Sequence, residues 1–285
     1  MDYANPRALK STQWLAEHLS DPGIRILDGS FHVPTTGRDA HAEYRERHIP
    51  GAAFFDVDGL RDPNTDLPHM LPSPEIFADT VAALGVGNSD TVIVYDAPGS
   101  AAAARVWWTF RVFGHDDVAV LDGGLDKWMA EGRPVDDGPA RPGEGRYQAG
   151  YDGSLVRSAA DMIANLETAS EQVIDNRGPS RFLGLDPEPR PAQRLGHIPG
   201  SLNIPFSDFL NMERHGMWQS ADEIAAIFAE TGVDLNKPIV SSCGSGVTAC
   251  TTAFAAFLLG KADAAVYDGS WAEWGNREDT PVDHS

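Results

Sequence analysis

The hexapeptide Cys243-Gly244-Ser245-Gly246-Val247-Thr248 is the stretch of this chain best suited to covalent chemistry. It follows the apolar run Pro238-Ile239-Val240 and leads into a helix-forming run from Ala249 to Leu259. The pattern predicts a cysteine at the point where a buried strand turns into a helix. There the first N–H groups of the helix lack intrahelical partners and the helix dipole is positive, so negative charge on sulfur is favoured. Gly244 and Gly246 permit backbone conformations and close approaches that a Cβ resists. Such a cup suits a thiolate nucleophile, a persulfide or a small oxyanion. Cys250 lies inside the predicted helix without that context, and is read as a small core residue.

A cysteine loop before a helix also occurs in phosphatases of the Cys-x5-Arg type, where the arginine grips phosphate in a bidentate fork. Six residues beyond Cys243 stands Ala249, and the loop carries no charged side chain. A phosphate dianion would have backbone dipoles alone, which argues against phosphatase chemistry.

The elements that must position this loop occur twice. His48-Ile49-Pro50-Gly51 recurs as His197-Ile198-Pro199-Gly200, an offset of 149. Leu121-Asp122-Gly123-Gly124 with Trp128 recurs as Tyr267-Asp268-Gly269-Ser270 with Trp274, an offset of 146. Ile26-Leu27-Asp28 matches Val173-Ile174-Asp175, and Ile93-Val94 matches Ile239-Val240. Ordered matches at nearly one spacing imply two similar domains. Their expected extents are 1–135 and 154–285, with a linker at 136–153 rich in Gly, Pro, Asp and Arg. Strands are predicted at Ile24 to Leu27, Val92 to Tyr95, Val118 to Leu121, Val173-Ile174, Ile239-Val240 and Ala264 to Tyr267. Helical patterns lie between them, at Ser11 to Leu19, Ser73 to Leu84, Ala101 to Phe113, Ser158 to Leu166, Ala221 to Glu230 and Val247 to Leu259. This alternation predicts an α/β fold, with two parallel sheets flanked by helices on both faces. Ligands in such sheets bind beyond the carboxyl ends of the strands, where Cys243 is expected. At offset 146 its counterpart is Ala97. The first domain, lacking the thiol, is read as a scaffold and one wall of the site.

Composition narrows the partners. Of 285 residues, 42 are acidic and 22 basic, a formal charge of −20, which disfavours nucleic acid and anionic membrane surfaces. The two cysteines form no disulfide framework, and a reactive thiol favours a reducing compartment. The start Met1-Asp2-Tyr3-Ala4-Asn5-Pro6 shows no secretory pattern and no apolar run reaches membrane-spanning length, so the cytoplasm is expected. No metal cluster or organic cofactor motif is recognised.

Taken together, these residues resemble the tandem rhodanese-domain sulfurtransferases, over nearly the whole chain. The resemblance rests on His48-Ile49-Pro50-Gly51, Arg105-Val106-Trp107-Trp108, Leu121-Asp122-Gly123-Gly124, Gly196-His197-Ile198-Pro199-Gly200 and the loop Cys243 to Thr248. Cys-Gly-Ser-Gly-Val-Thr is similar to the loop of the branch that uses 3-mercaptopyruvate; the thiosulfate branch typically carries Cys-Arg-Lys-Gly-Val-Thr. Charge agrees, since a compact thiosulfate dianion needs fixed cations beside the sulfur and this loop has none.

The resemblance implies a Cys243 persulfide, with Gly244, Ser245, Gly246, Val247 and Thr248 forming its cradle. It places Arg181 and Arg190 at the substrate positions, in segments 177–182 and 187–191. It also implies a proton-moving set of Ser245, His69 and Asp58, which requires the site to lie between the domains. A small sulfur donor and a thiol acceptor, such as thioredoxin, are the implied partners. Thiosulfate sulfurtransfer and a non-catalytic persulfide carrier are the alternatives. His48 and His197 are read as turn-stabilising, and Trp107 and Trp108 as core or interface packing. One stretch departs from the family: Ala97 to Ala104 is short and alanine-rich where relatives carry a longer polar loop.

Overall fold

The computed structural model describes residues 1–139, 143 and 145–284; positions 140–142 and 144 of the expected linker lie outside the described residues. The first sheet contains β1 (Leu9–Lys10), β2 (Ile24–Asp28), β3 (Ala53–Phe54), β4 (Thr91–Tyr95) and β5 (Val118–Leu121), in the order β1-β5-β4-β2-β3. The second contains β6 (Val156–Arg157), β7 (Gln172–Asp175), β8 (Leu202–Asn203), β11 (Ile239–Ser242) and β12 (Ala265–Tyr267), in the order β6-β12-β11-β7-β8. Between β8 and β11 runs a small antiparallel hairpin, β9 (Leu210–Asn211) and β10 (Met217–Trp218). Every pairing within the two large sheets is parallel. The predicted strands are all present: Val118–Leu121 has the expected bounds, and the others differ by a residue or two at their ends. The edge strands β1, β3, β6 and β8 escaped prediction because two residues carry no periodicity.

Sequence explains where the helices start. α1 (Thr12–His18), α3 (Pro74–Ala83), α6 (Ala159–Thr168) and α8 (Ala221–Thr231) are N-capped by Ser11, Ser73, Ser158 and Ser220. Ser158 and Ser220 complete capping boxes with Asp161 and Glu223. Four other short helices fall where no pattern was visible: α2 (Ala40–Glu46), α5 (Gly124–Ala130), α7 (Pro179–Phe182) and α10 (Ser270–Trp274).

Two helices differ from these. α4 (Ala103–Val112) and α9 (Ala249–Leu258) are buried nearly all round, because they pack against each other as well as against their own sheets. Trp107 of α4 meets Phe254 of α9 edge-on, with ring centres 4.8 Å apart. Trp108 turns towards the start of the second domain, its indole N–H donating to Leu155 O at 3.3 Å. The two domains therefore share one apolar core along the α4–α9 contact.

The described part of the linker lies against the first domain. Gly138 N–H donates to Arg45 O, Gly150 N–H to Phe113 O and Asp152 N–H to Val112 O. His48 and His197 are buried and stabilise equivalent turns, their Nδ1 atoms each 2.9 Å from a backbone oxygen, of Tyr44 and Phe182. No helix among the described residues is long and apolar enough to cross a membrane.

Candidate active site

Cys243 follows the last residue of β11 and is buried. Its N–H donates to Ser270 Oγ at 3.1 Å, and its carbonyl accepts from Trp271 N–H at 3.0 Å. Gly244 O accepts from Ala272 N–H at 2.8 Å. The start of α10 thus clamps the start of the loop, and Gly246 turns it into α9 with φ of +77°. Positive φ falls on Gly246 and not on Gly244. Gly244 is small for a different reason: a Cβ there would stand 2.8 Å from Arg181 Nη2.

Cys243 lies on a cavity of about 230 Å³ between the domains. Gly244, Ser245, Val247, Thr248, Arg181 and Arg190 line it, whereas Gly246 faces away. The first domain supplies the opposite wall through Phe31, Val33, Gly99, Ser100 and Ala101. The short alanine-rich stretch therefore borders the cavity directly.

His69, from the first domain, reaches across to the loop. Its Nδ1 is 3.0 Å from Ser245 Oγ and 3.2 Å from Ser245 O, and its Nε2 is 2.8 Å from Asp58 Oδ1. With Nε2–H donating to Asp58, a neutral ring accepts from the Ser245 hydroxyl at Nδ1; a protonated ring donates from Nδ1 to Ser245 Oγ or to Ser245 O. Both states find partners, as a group that gains and loses a proton requires. The His69 hydrogen bond holds the Asp58 carboxyl below its ordinary range, against partial burial, with Arg190 adding to the lowering. Arg190 Nη2 lies 3.5 Å from Asp58 Oδ1 and 3.3 Å from His69 Nε2.

Arg181 is fixed by a residue that the sequence reading passed over. The side chain of Glu188 is 5% exposed and accepts from Arg181 Nε at 3.1 Å and from Arg177 Nη1 at 2.6 Å. Arg177 is itself buried against Asp175 and stacks over Trp271, its guanidinium 4.3 Å from the ring centre. The signal was available, since Arg177 opens the arginine segment and Glu188 stands between Arg181 and Arg190. Side-chain direction in a Pro/Gly-rich loop was not.

At the Ala97 position the first domain has filled its own helix terminus. Asp96 Oδ2 accepts from Ala102 N–H at 2.8 Å and Ala103 N–H at 3.0 Å. Burial raises this carboxyl, and the two backbone hydrogen bonds pull the other way. The residue equivalent to Asp96 in the second domain is Ser242, so there the cup stays open to a ligand. Cys250 is wholly buried, with its S–H donating to Gly246 O at 3.3 Å and its thiol raised by burial. Cys250→Ser is expected to retain donor turnover and to lower unfolding stability by about 1–3 kcal/mol, because a hydroxyl replaces an apolar sulfur in the core. Urea unfolding and a turnover assay check both halves of that expectation.

Comparison with known proteins follows the same lines. The rhodanese-like domain family matches residues 11–131 and 158–277. A 3-mercaptopyruvate sulfurtransferase of Homo sapiens is 48% identical over 274 residues, covering 94% of this chain and 92% of its own. A thiosulfate sulfurtransferase of Cricetulus griseus is 47% identical over 275 residues, with the same coverage of 94% and 92%. Overall identity does not separate the two donors. The crystal structure of the 3-mercaptopyruvate sulfotransferase SseA from Escherichia coli superposes with a TM-score of 0.85 at 38% identity, covering 93% of this chain and 99% of that one.

Proposed function

The chain belongs to the rhodanese-like sulfurtransferases, and from that premise we propose that it moves sulfur from 3-mercaptopyruvate through Cys243 to a thiol acceptor, releasing pyruvate. One observation carries the choice of donor: Ser245, His69 and Asp58 form a continuous hydrogen-bonded chain beside an uncharged cysteine loop. When thiosulfate gives up its outer sulfur, sulfite departs as a stable anion. When mercaptopyruvate does so, the electron pair of the C–S bond stays on carbon and the pyruvate enolate needs a proton. A proton-delivering chain serves the second donor.

Arg190 and Arg181 hold the donor's carboxylate and carbonyl oxygen, which sets its sulfur against Cys243. The Cys243 thiolate attacks that sulfur; the S–S bond forms as the C–S bond breaks. His69 passes a proton to the enolate through Ser245, with Asp58 orienting the imidazole and stabilising its charged form. The persulfide rests in the loop, with Gly244, Gly246, Val247 and Thr248 contributing to its cradle. An acceptor thiolate then takes the outer sulfur and returns the Cys243 thiolate. Thioredoxin is one candidate acceptor. Two free cysteines and a thiol mechanism fit a reducing compartment such as the cytoplasm. The functional units are placed at 1–135 and 154–285, joined by 136–153.

Thiosulfate transfer is the second reading, kept by the equally similar thiosulfate sulfurtransferases. Steady-state turnover of mercaptopyruvate against thiosulfate, with a reducible thiol acceptor, decides between them. Faster thiosulfate turnover overturns the proposal, and a persulfide that forms without turnover favours a carrier.

Arg181→Lys and Arg190→Lys are each expected to raise the mercaptopyruvate KM by about 10- to 150-fold. Lysine keeps the charge and loses the planar fork, a charge-assisted hydrogen bond of about 1.5–3 kcal/mol. Arg181→Lys also frees one side of Glu188, leaving a less compensated carboxylate beside the donor. Unchanged KM and kcat in both variants would return these arginines to ordinary solvated side chains.

A further inference from the structure

We infer that the buried pair Arg105–Asp268 is a positioning device that holds His69 against the cysteine loop, and thereby sets the rate of pyruvate release. The inference rests on the proposed relay. Arg105 comes from α4 of the first domain and Asp268 follows β12 of the second; their exposures are 4% and 2%. Arg105 Nη1 donates to Asp268 Oδ1 at 2.6 Å and to Gly246 O at 3.2 Å, while Nη2 donates to His69 O. Asp268 Oδ2 accepts from Leu71 N–H at 2.7 Å. The guanidinium lies over Trp108, 4.6 Å from the ring centre. One ion pair therefore grips the histidine loop at residues 69 and 71 and the cysteine loop at 246.

The gripped histidine in particular needs such support. His69 has φ of +60°, a left-handed conformation that a residue with a Cβ keeps only where its surroundings enforce it. A Cβ on Gly246 would meet Asp268 O at 2.6 Å and Arg105 Nη1 at 3.1 Å, so the same node packs against the turn that Gly246 makes, while Cys243 itself is held by Ser270 and Trp271.

The internal repeat supplies a control. At offset 146 the counterparts of His69 and Asp268 are His215 and Asp122. His215 is also left-handed, with φ of +59°, and Asp122 likewise accepts from the partner domain, at 2.9 Å from Trp218 N–H. The counterpart of Arg105 is Thr251. On the side where no thiol has to be aligned, the mirror contact holds with Thr251 in the place of Arg105, and Lys127 and Arg214 act on Asp122 only through their charge. Buried ion pairs are commonly matched in stability by apolar replacements, so stability alone does not account for this one.

The test uses Arg105→Met/Asp268→Leu, Arg105→Lys and His69→Ala in the full chain. Two half-reactions are followed: single-turnover pyruvate release from mercaptopyruvate, and discharge to a small thiol of a Cys243 persulfide loaded with inorganic polysulfide. The double variant is expected to unfold at wild-type denaturant concentration and to release pyruvate about 100-fold more slowly. Its donor KM should stay within about twofold and its discharge rate within about threefold, because Arg181, Arg190 and Cys243 are untouched. Adding His69→Ala should slow it no further, since both changes disable one device. Wild-type pyruvate release in the folded double variant, equal slowing of both half-reactions, or losses that multiply with His69→Ala would each overturn the inference. If the double variant does not fold, Arg105→Lys carries the same readouts, because it keeps the charge beside Asp268 and gives up the fork. Wild-type pyruvate release in His69→Ala would remove the relay and the inference together. A slow His69→Ala beside a fast double variant removes the inference alone.

Discussion

Cys243→Ser is expected to abolish sulfur transfer while the protein remains folded. The fall in kcat should be on the order of 10⁴-fold or more, since the variant lacks the atom that forms the covalent intermediate. A serine hydroxyl at this position is a poor nucleophile towards divalent sulfur, and an oxygen–sulfur adduct is not a competent carrier. The fold should tolerate the change, because Cys243 is held through its backbone, by Ser270 Oγ and Trp271 N–H, and not through its sulfur. Mass spectrometry of donor-treated protein should place one additional sulfur on the peptide containing Cys243. Activity in Cys243→Ser, or sulfur found on Cys250, ends the persulfide mechanism. Cys250 is a demanding control: it lies seven residues away in the same segment, but burial disfavours its thiolate.

The second large effect comes from placing charge on the loop. Gly244→Arg/Ser245→Lys sets two cations beside Cys243 without altering the nucleophile. Mercaptopyruvate turnover is expected to fall by about 10²- to 10⁴-fold, the range associated with losing a positioned proton donor. Ser245 Oγ, 3.0 Å from His69 Nδ1, is removed, so the relay loses its last member. The new side chain at 244 also starts 2.8 Å from Arg181 Nη2, which must move from its place beside Glu188. Thiosulfate turnover should rise, because a dianion gains fixed positive charge where its sulfur binds. Gly244 has no positive φ, so the backbone itself admits arginine, and circular dichroism should report a native fold. A folded variant whose preference for mercaptopyruvate is unchanged would refute the loop-charge account. Donor choice would then rest with Arg181, Arg190 and the first-domain wall.

Much of this site was legible in one dimension because its logic is local. A strand, a cysteine with two glycines and a helix are consecutive, and their periods and turn residues identify them without tertiary information. The repeat was legible for a related reason: each half must bury the same sheet, so matching apolar runs and turns recur at nearly constant spacing. The absence of charge on the loop is a property of six adjacent residues, and it bears on the donor whatever surrounds it.

What remained for the tertiary structure concerns residues far apart in the chain. His69 and Ser245 are separated by 176 positions and meet only because α4 and α9 bring the domains together over a shared core. Taken by itself, His69 in a Pro-flanked loop looks like any exposed histidine; packed, it is buried, left-handed and hydrogen-bonded on both nitrogens. In the sequence Arg105 stands only as one residue of a family motif within a predicted helix, and the interface alone shows its guanidinium shared among Asp268, Gly246 and His69. Glu188 stands between Arg181 and Arg190 in the sequence, but its role depends on side-chain direction, because a buried carboxylate is defined by the arginines that surround it in space. Periodicity and turn chemistry act over a few residues, so the sequence by itself determined the two sheets, the cysteine turn and the missing thiol of the first half. Charge pairing and proton transfer act through space over a few ångströms, so the relay, the fixed arginine and the interdomain clamp were decided only when the two domains packed.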